Sequence, residues 1–276
     1  MRADPFVADL VTDLATDLAA AEPLLALHGL ALRVGSRSLF EALTLQVRAG
    51  ELWCVIGPNG SGKTSLLHAV AGLREPDAGR IELRGRPLGT WPPNEAALHR
   101  GLLPQTLHDA FGASALDVVL AGRHPHLQRW AWEGEADRAI ALDALRQVDL
   151  DGFAARNVLT LSGGERQRVG IAALLAQDPA LLLLDEPLAH LDLMHQVGVL
   201  KHLQALARDR ARAVLWSTHD LNLAHRFATH ALLLGGGVAP LVAAADAVMT
   251  PEALTRAFGH PVARVDAGTR VLFVAQ

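Results

Sequence analysis

The stretch GPNGSGKT, residues 57–64, follows a short unbroken apolar run at residues 53–56 and precedes a pattern typical of an apolar helix. It matches the motif G-x-x-x-x-G-K-[ST] in full. Its glycines let successive backbone N–H groups point into one concavity, and a helix that begins near Lys63 adds the positive end of its dipole. Lys63 can then reach phosphate oxygens, and the Thr64 hydroxyl suits magnesium. The stretch predicts a phosphate-binding loop between a buried strand and a helix.

Two acidic residues, Asp185 and Glu186, come directly after a second apolar run at residues 181–184. Ligands bind at the carboxyl ends of strands in open α/β sheets, so these carboxylates are expected near the phosphate loop. Alone, the pair could also be an ordinary acidic turn, but the phosphate loop favours a catalytic pair. Asp185 is then expected to hold magnesium, and Glu186 to polarise the attacking water as a general base.

The hydrophobic pattern changes along the chain. Apolar residues alternate with polar ones from Leu30 to Val47, which is typical of antiparallel strands with one face in water. Residues 107–158 look mostly helical, and one helix there is expected to present a single apolar face. That face comprises Ala136, Ile140, Ala144 and Val148, with Ala141 and Leu145 beside them. The sequence therefore predicts an α/β fold: a mixed sheet with flanking helices, an N-terminal antiparallel β subdomain and an inserted α-helical subdomain.

Composition excludes several classes of protein. Half of the 276 residues are hydrophobic and 20% are charged, so the chain can bury a sizeable core and is not disordered. The net charge of −4 argues against a general nucleic-acid-binding surface, and the single cysteine, Cys54, excludes a disulfide framework. No apolar run reaches the roughly 18 residues that a membrane span needs. Residues 1–22 look like a loosely attached acidic extension with weak helical periodicity, without the apolar block of a signal peptide.

A third motif, LSGGERQ at residues 161–167, predicts the start of another helix. Ser162 and Glu165 have the spacing of a capping box, in which each side chain bonds to the backbone N–H group of the other residue. Gly163 and Gly164 permit another molecule to approach the backbone closely. A capping box alone usually marks only a helix start, but the full stretch is far more specific.

The three motifs, in this order, resemble those of the nucleotide-binding subunits of ABC transporters, and the resemblance extends from about Leu24 to the C-terminus. Gln105 in Leu-Leu-Pro-Gln and His219 in Ser-Thr-His-Asp match two further elements of that family. The resemblance implies a P-loop ATPase core divided around a helical insertion. The expected domains are the extension at 1–22 and an ABC ATPase domain at 23–276, with its core at 23–104 and 159–240, the helical insertion at 105–158 and a small C-terminal appendage at 241–276.

The resemblance also implies a head-to-tail dimer with ATP between the subunits and Mg²⁺ as cofactor. Each ATP would be held by the phosphate loop of one chain and by Ser162 and Gly164 of the other. The expected nucleotide-binding residues are Gly57, Asn59, Gly60, Ser61, Gly62, Lys63, Thr64, Ser65, Ser162, Gly163, Gly164 and Asp192. The expected catalytic residues are Glu186, His219 and Gln105, and the expected magnesium ligands are Thr64, Gln105 and Asp185.

Three of these residues take specific roles from the resemblance. Gln105 looks like the residue that contacts magnesium and the lytic water and links the core to the helical insertion. His219 resembles the switch histidine that contacts the γ-phosphate. Asp192 looks like part of the loop that reports across the dimer.

A finer resemblance points to the ATPases of iron–siderophore, haem and cobalamin importers. It rests on GRHP at residues 122–125, LDLMHQ at 191–196 and MTPEAL at 249–254. It implies a separate transmembrane permease, a periplasmic or extracellular substrate-binding protein acting through that permease, and a peripheral location on the cytoplasmic face of the inner membrane. No nucleic-acid partner is expected. Three alternatives stay open: a soluble ABC ATPase acting on nucleic acid or ribosomes, the motor of an exporter, and a nucleotide-gated module that does not hydrolyse ATP.

The sequence departs from the family pattern where an aromatic residue commonly stacks on adenine. The matching position is Val34, and the chain has no tyrosine. We therefore expect adenine to be held by apolar contact only, with relaxed discrimination between bases. Trp130 and Trp132, in the helical insertion, are expected either in the core or on a surface that grips the permease.

Overall fold

The computed structural model describes residues 22–107, 112–128, 131–235, 237–268 and 270–276. The expected extension at residues 1–22 lies outside the described residues except for Glu22, and Trp130 lies outside them as well.

The strands, in chain order, are β1 (Leu25–Val34), β2 (Arg37–Val47), β3 (Leu52–Ile56), β4 (Ala78–Leu83), β5 (Arg86–Pro87), β6 (Arg100–Leu103), β7 (Leu181–Leu184), β8 (Ala213–Thr218), β9 (His230–Leu233), β10 (Leu241–Ala244), β11 (Val262–Ala267) and β12 (Arg270–Ala275). The helices are α1 (Lys63–Val70), α2 (Pro93–His99), α3 (Ala115–Ala121), α4 (Glu135–Gln147), α5 (Gly163–Gln177), α6 (Leu193–Arg210), α7 (Leu221–Phe227), α8 (Ala245–Val248) and α9 (Pro251–Phe258).

The central sheet has the strand order β10-β9-β3-β8-β7-β6, and its neighbouring strands are parallel except for the β10–β9 pair. The strands β3, β7 and β8 are buried along their whole length, as the unbroken apolar runs predict. Because these strands are parallel, their carboxyl ends meet at one edge. That edge carries residues 57–64 after β3, Gln105 after β6, Asp185 and Glu186 after β7, and His219 after β8.

A second sheet, with the order β2-β1-β4-β5, is antiparallel throughout. Its inner face and α1 share one hydrophobic core with Trp53 and Val55 of β3. Cys54 and Ile56, on the other face of β3, pack in a second core that includes α5 and α6. The mixed sheet with flanking helices and the antiparallel β subdomain are therefore confirmed.

The region between β6 and β7 contains α3, α4 and α5, which pack against one another. The predicted apolar face of α4 is wrong at its N-terminal end, where Ala136 and Ile140 are exposed. It is confirmed further along, where the predicted residues are buried: Ala141, Ala144, Leu145 and Val148. Residues spaced four apart advance about 400° around a helix, so each step drifts about 40° from the starting face. The buried positions instead follow the mixed spacing of three and four residues that keeps side chains on one face.

The C-terminal part of the chain forms α8, α9 and the β11–β12 hairpin. The hairpin is fastened to α7 by Asn222, whose Oδ1 accepts a 2.7 Å hydrogen bond from the backbone N–H of Phe273. Phe273 is buried, and its ring meets the edge of the His225 ring on the same helix. The appendage is thus packed on the helix that follows His219. Among the described residues, no helix combines the length and the apolar character required for a membrane crossing.

Candidate functional site

The phosphate loop depends on glycine at two positions. A Cβ at Gly57 would stand 2.2 Å from the backbone oxygen of Leu234, so glycine lets the loop pass close to the end of β9. Gly62 has φ of +105° and precedes α1, and a Cβ there would stand 3.2 Å from Leu39. A Cβ at Gly57 would clash with that backbone oxygen, and at both positions the positive φ is strained for any residue but glycine. These two glycines of the motif therefore stand where the backbone needs them.

Lys63 is the first residue of α1 and is buried beneath the loop. Its Nζ donates hydrogen bonds to the backbone oxygens of Gly57 at 2.8 Å and Pro58 at 3.2 Å. Burial lowers the pKa of Lys63 from its usual value, while the negative charges of Glu186 and Asp185 oppose that shift. These two bonds hold the cation against the backbone of the loop. An anion that binds there meets a positive charge already in place.

Asp185 and Glu186 are joined by a third residue, Ser217 of β8. The Ser217 hydroxyl donates a 2.6 Å hydrogen bond to Asp185 Oδ1 and accepts a 2.9 Å hydrogen bond from the backbone N–H of Glu186. Asp185 is fully buried, and its second oxygen, Oδ2, has no hydrogen-bond partner within the described residues. Glu186 has φ of +47°, the left-handed region that non-glycine residues rarely adopt. The two carboxylates are therefore held in fixed and different environments.

Two side chains approach the carboxylate of Glu186 from neighbouring strands. Gln105 Nε2 donates a 3.1 Å hydrogen bond to Glu186 Oε2. His219 Nδ1 lies 4.0 Å from the same oxygen, and the His219 side chain is 74% exposed. The structure thus brings together the three residues expected to be catalytic. The histidine remains free to turn toward a ligand.

Gln105 and Glu186 face a cleft of about 500 Å³, whose lining does not include His219. The residues that line it are Val34, Arg37, Leu39, Asn59, Gly60, Gly62, Lys63, Thr64, Ser65, Gln105 and Glu186. Gly57 and Asp185 are not part of this lining. Ser61 is buried, and its hydroxyl has no partner within the described part of the chain. The expected loop residues therefore form one side of the cleft, and the start of the antiparallel sheet forms another.

The third motif, LSGGERQ at residues 161–167, begins α5 as predicted. The Ser162 Oγ accepts a 3.2 Å hydrogen bond from the backbone N–H of Glu165, and Glu165 Oε2 accepts a 2.8 Å bond from the backbone N–H of Ser162. The bonds from Ser162 lower the pKa of Glu165. A Cβ at Gly164 would stand 2.7 Å from the backbone oxygen of His190, so the two segments touch at this point. Within the described part of the chain, Gly164 is the one glycine of this motif at which a Cβ would clash with a neighbouring residue.

Asp192 caps the N-terminus of α6, and its Oδ1 accepts a 2.9 Å hydrogen bond from the backbone N–H of His195. Hydrogen bonds from His195 lower the pKa of Asp192. Neither Asp192 nor the glycines of the third motif line the 500 Å³ cleft of their own chain. The structure of one chain therefore does not bring these expected nucleotide-binding residues to the phosphate loop.

Three residues at this site were missed from the sequence. Ser217 stands two residues before His219, and its place at the end of a buried strand beside Asp185 was the signal that could have revealed it. Arg37 and Leu39 begin β2 and reach the cleft only because the antiparallel sheet folds over the phosphate loop. No motif marks them.

Two oxygen donors that line the cleft, together with the buried carboxylate of Asp185, fit a magnesium ion. The Thr64 hydroxyl, the Gln105 amide oxygen and the Asp185 carboxylate are all hard oxygen donors, which Mg²⁺ prefers. The unpartnered Asp185 Oδ2 is a buried acceptor in need of a cation or a water molecule. The assignment of magnesium to this site rests on the preference of Mg²⁺ for oxygen ligands of these kinds.

A parallel sheet that delivers a glycine-rich loop, a buried lysine and two carboxylates to one edge defines a P-loop nucleoside triphosphatase. A family model described as ABC transporter matches residues 40–189 of the chain. The chain therefore belongs to the ABC transporter family, and it is an ABC ATPase. The predicted family is confirmed.

Two relatives cover most of the chain. It is 42% identical over 241 residues to the hemin import ATP-binding protein HmuV of Gloeobacter violaceus, an alignment that covers 84% of this chain and 86% of the relative. It is 43% identical over 244 residues to the protein of the same name from Pseudomonas entomophila, with 87% of this chain and 94% of the relative covered.

Two solved structures extend the comparison. An inward-facing metal-chelate type ABC transporter is 30% identical, with a TM-score of 0.80, and covers 92% of this chain and 98% of its own. A dimeric bacterial ABC transporter cassette is 27% identical, with a TM-score of 0.68, and covers 76% of this chain and 94% of its own. These likenesses confirm the predicted fold class.

Proposed function

We propose that this chain is the ATP-hydrolysing subunit of a membrane importer for hemin or another metal chelate, such as an iron–siderophore complex or cobalamin. The observation that carries the proposal is the similarity over most of the chain to hemin import ATP-binding proteins, at 42% and 43% identity. A metal-chelate type transporter is similar over 92% of the chain. Both point to the same class of cargo, a metal ion held in an organic ligand.

Hydrolysis follows from the arrangement of charges at the cleft. The backbone N–H groups of residues 57–64 and the buried Lys63 cation hold the phosphates of ATP. Glu186 faces the same cleft and acts as general base on the attacking water. Gln105 fixes one oxygen of Glu186 by its 3.1 Å hydrogen bond, which leaves the other oxygen to accept the proton. His219, beside the same carboxylate, contacts the γ-phosphate.

Thr64, Gln105 and Asp185 would hold Mg²⁺, which when bound neutralises phosphate charge. Within the protein, the Ser217 hydrogen bond keeps one Asp185 oxygen occupied and leaves Oδ2 for the ion or its water. Asp185 is therefore a ligand whose orientation is set before the nucleotide arrives.

Two chains form a head-to-tail dimer in which ATP lies between the phosphate loop of one and Ser162, Gly163, Gly164 and Asp192 of the other. In support, those four residues do not line the cleft of their own chain. Leu193 and Met194, the first residues of α6, are large apolar side chains exposed to solvent directly after Asp192. Exposed apolar groups next to a binding motif are typical of a surface that a partner covers. ATP binding closes this dimer, and hydrolysis reopens it.

A separate permease docks on the helical insertion, for which we keep the bounds 105–158. Trp132 is 89% exposed there and lines a concavity of about 720 Å³ with Leu127, His124 and Asn94. Its exposure excludes the core position that the sequence left open. Aromatic residues are enriched at protein interfaces, which supports a docking role. The subunit is then peripheral, on the cytoplasmic face of the inner membrane, and a substrate-binding protein acts through the permease.

Uptake by cells that lack this chain tests the importer proposal. Labelled hemin, a labelled ferric siderophore and labelled cobalamin are supplied separately, and the cells are complemented with the native chain or with Glu186→Gln. We expect uptake of one cargo to be lost and to be restored only by the native chain. Unchanged uptake of all three would contradict import of these chelates, and loss of efflux would point to an exporter.

The permease contact has its own test in the same cells. Trp132→Ala should abolish uptake while ATP hydrolysis by the purified subunit stays near the native rate, because Trp132 is far in sequence from the phosphate loop and does not line its cleft. Val274→Ala, which shortens an exposed valine on the C-terminal hairpin, is the matched control and should leave uptake unchanged. Full uptake with Trp132→Ala would exclude this surface.

A further inference from the structure

The wall of the cleft opposite the phosphate loop is formed by the tip of the β1–β2 hairpin. Val34 and Arg37 are direct partners across the two strands, so their side chains lie on the same face. Gly35, with φ of +58°, begins the tight turn between them. Val34 is 55% exposed at the mouth of the cleft, where the family places its adenine-stacking residue.

The start of β2 lies over the phosphate loop. Leu39, which lines the same cleft as Arg37, stands 3.2 Å from where a Cβ of Gly62 would be. The Arg37 Nη1 atom stands 3.7 Å from where a Cβ of Gly60 would be. The guanidinium therefore reaches the rim of the phosphate site from the side on which Val34 lies.

No aromatic ring is among the residues that line the cleft. Val34 can offer a base only methyl groups, which cover a small part of its flat face. A guanidinium is planar and delocalised, and it stacks on aromatic rings as an ammonium group does not. Within the described residues the Arg37 side chain has no hydrogen-bond or ion-pair partner that would hold it elsewhere.

We propose that Arg37 is the residue that recognises the base, with its guanidinium stacked on adenine beside Val34. It gives this ATPase a preference for purines, since a two-ring base offers the guanidinium a larger face than a one-ring base. This replaces the expectation of purely apolar contact and relaxed discrimination, which considered Val34 without Arg37. It extends the ATPase activity and does not depend on the cargo of the transporter.

Binding of three ligands that the enzyme cannot hydrolyse tests the assignment: ADP, CDP and inorganic pyrophosphate. Their affinities are measured by calorimetry for the native chain, Arg37→Ala, Arg37→Trp and Arg33→Ala. Loss of one cation–π stack should weaken ADP binding to Arg37→Ala by about 5- to 30-fold. Pyrophosphate should bind to that variant within about 2-fold of the native affinity, because its contacts with Lys63 and the loop remain. The ratio of ADP to CDP affinity should fall toward one.

The other two variants separate stacking from charge. Arg37→Trp removes the charge but keeps a flat face, so it should retain ADP affinity and purine preference. Arg33→Ala removes an exposed arginine one position before Val34, on the opposite face of the hairpin, and should bind all three ligands as the native chain does. Equal losses of ADP and pyrophosphate in Arg37→Ala would assign Arg37 to the phosphates, and unchanged ADP affinity would remove it from the site. Either result overturns the proposal without bearing on transport.

Discussion

The Ser217 hydroxyl donates a 2.6 Å hydrogen bond to Oδ1 of the fully buried Asp185, and so couples two neighbouring parallel strands at the catalytic edge of the sheet. The same hydroxyl accepts a hydrogen bond from the backbone N–H of Glu186. One small side chain therefore positions both the expected magnesium ligand and the expected general base. A buried carboxylate is costly to the folded state unless such donors compensate it.

Ser217→Ala should lower the free energy of unfolding by about 1–3 kcal/mol, because it leaves a buried carboxylate oxygen and a backbone N–H group without their partner. ATP hydrolysis should fall as well, since Asp185 and Glu186 lose their common anchor. Urea unfolding and a steady-state ATPase assay measure the two effects. Ser36→Ala, which removes an exposed serine hydroxyl in the β1–β2 turn, should leave both values unchanged. Native stability in Ser217→Ala would mean that the strand ends do not depend on this bond.

Glu186→Gln should lower the rate of ATP hydrolysis by about 10²- to 10⁴-fold, the usual scale for the loss of a general base. The amide keeps the size of the side chain and can still accept the hydrogen bond from Gln105, so ATP should bind with near-native affinity. With hydrolysis blocked, ATP should hold two chains in the closed dimer, which size-exclusion chromatography detects.

The control for Glu186→Gln is the same substitution at Glu75, an exposed residue that does not line the cleft. Glu75→Gln should hydrolyse ATP at the native rate and remain monomeric after turnover. Near-native turnover in Glu186→Gln would show that another group accepts the proton from water.

The sequence predicts those residues of the site that are consecutive along the chain and misses those that come from separate strands. The phosphate loop and the pair Asp185 and Glu186 are short continuous motifs, so their chemistry can be predicted without knowledge of the fold. Ser217 and Arg37 contribute from strands that reach the site only through sheet pairing, and a buried serine or an exposed arginine in a strand has many ordinary explanations. The sequence could not show whether Trp132 is buried or exposed, because an aromatic residue in a helical region is compatible with either a core or an interface.

Ser162→Ala should separate the two expected roles of the third motif, which are capping α5 and contacting ATP in the partner chain. Loss of an N-cap hydroxyl costs about 1 kcal/mol of stability. Because Ser162 is also expected to contact ATP in the partner chain, ATP-dependent dimer formation in the Glu186→Gln background should be lost too. Ser114 provides a matched comparison, since it caps α3 through the same kind of capping box, with Asp117.

Ser114→Ala should therefore cost about the same 1 kcal/mol and leave the ATP-dependent dimer intact. Both variants are compared by urea unfolding and by chromatography with ATP. If both variants dimerise equally well, Ser162 is only a helix cap. If both fail, the dimer is sensitive to small losses of stability rather than to a contact with ATP.

The stability that Glu165 contributes should disappear in acid. Backbone and side-chain bonds from Ser162 lower the pKa of Glu165, so the folded state favours its ionised form. The unfolded chain then binds more protons below the ordinary glutamate pKa of about 4.3, and stability falls as the pH falls through the lowered pKa of the folded state. The unfolding free energy of the native chain minus that of Glu165→Gln should be positive near neutral pH and should shrink as the pH is lowered below about 4.3. Urea unfolding at a series of pH values measures this difference, which cancels the contributions of other carboxylates. A difference that stays constant across that range would mean that the charge of Glu165 does not stabilise the start of α5.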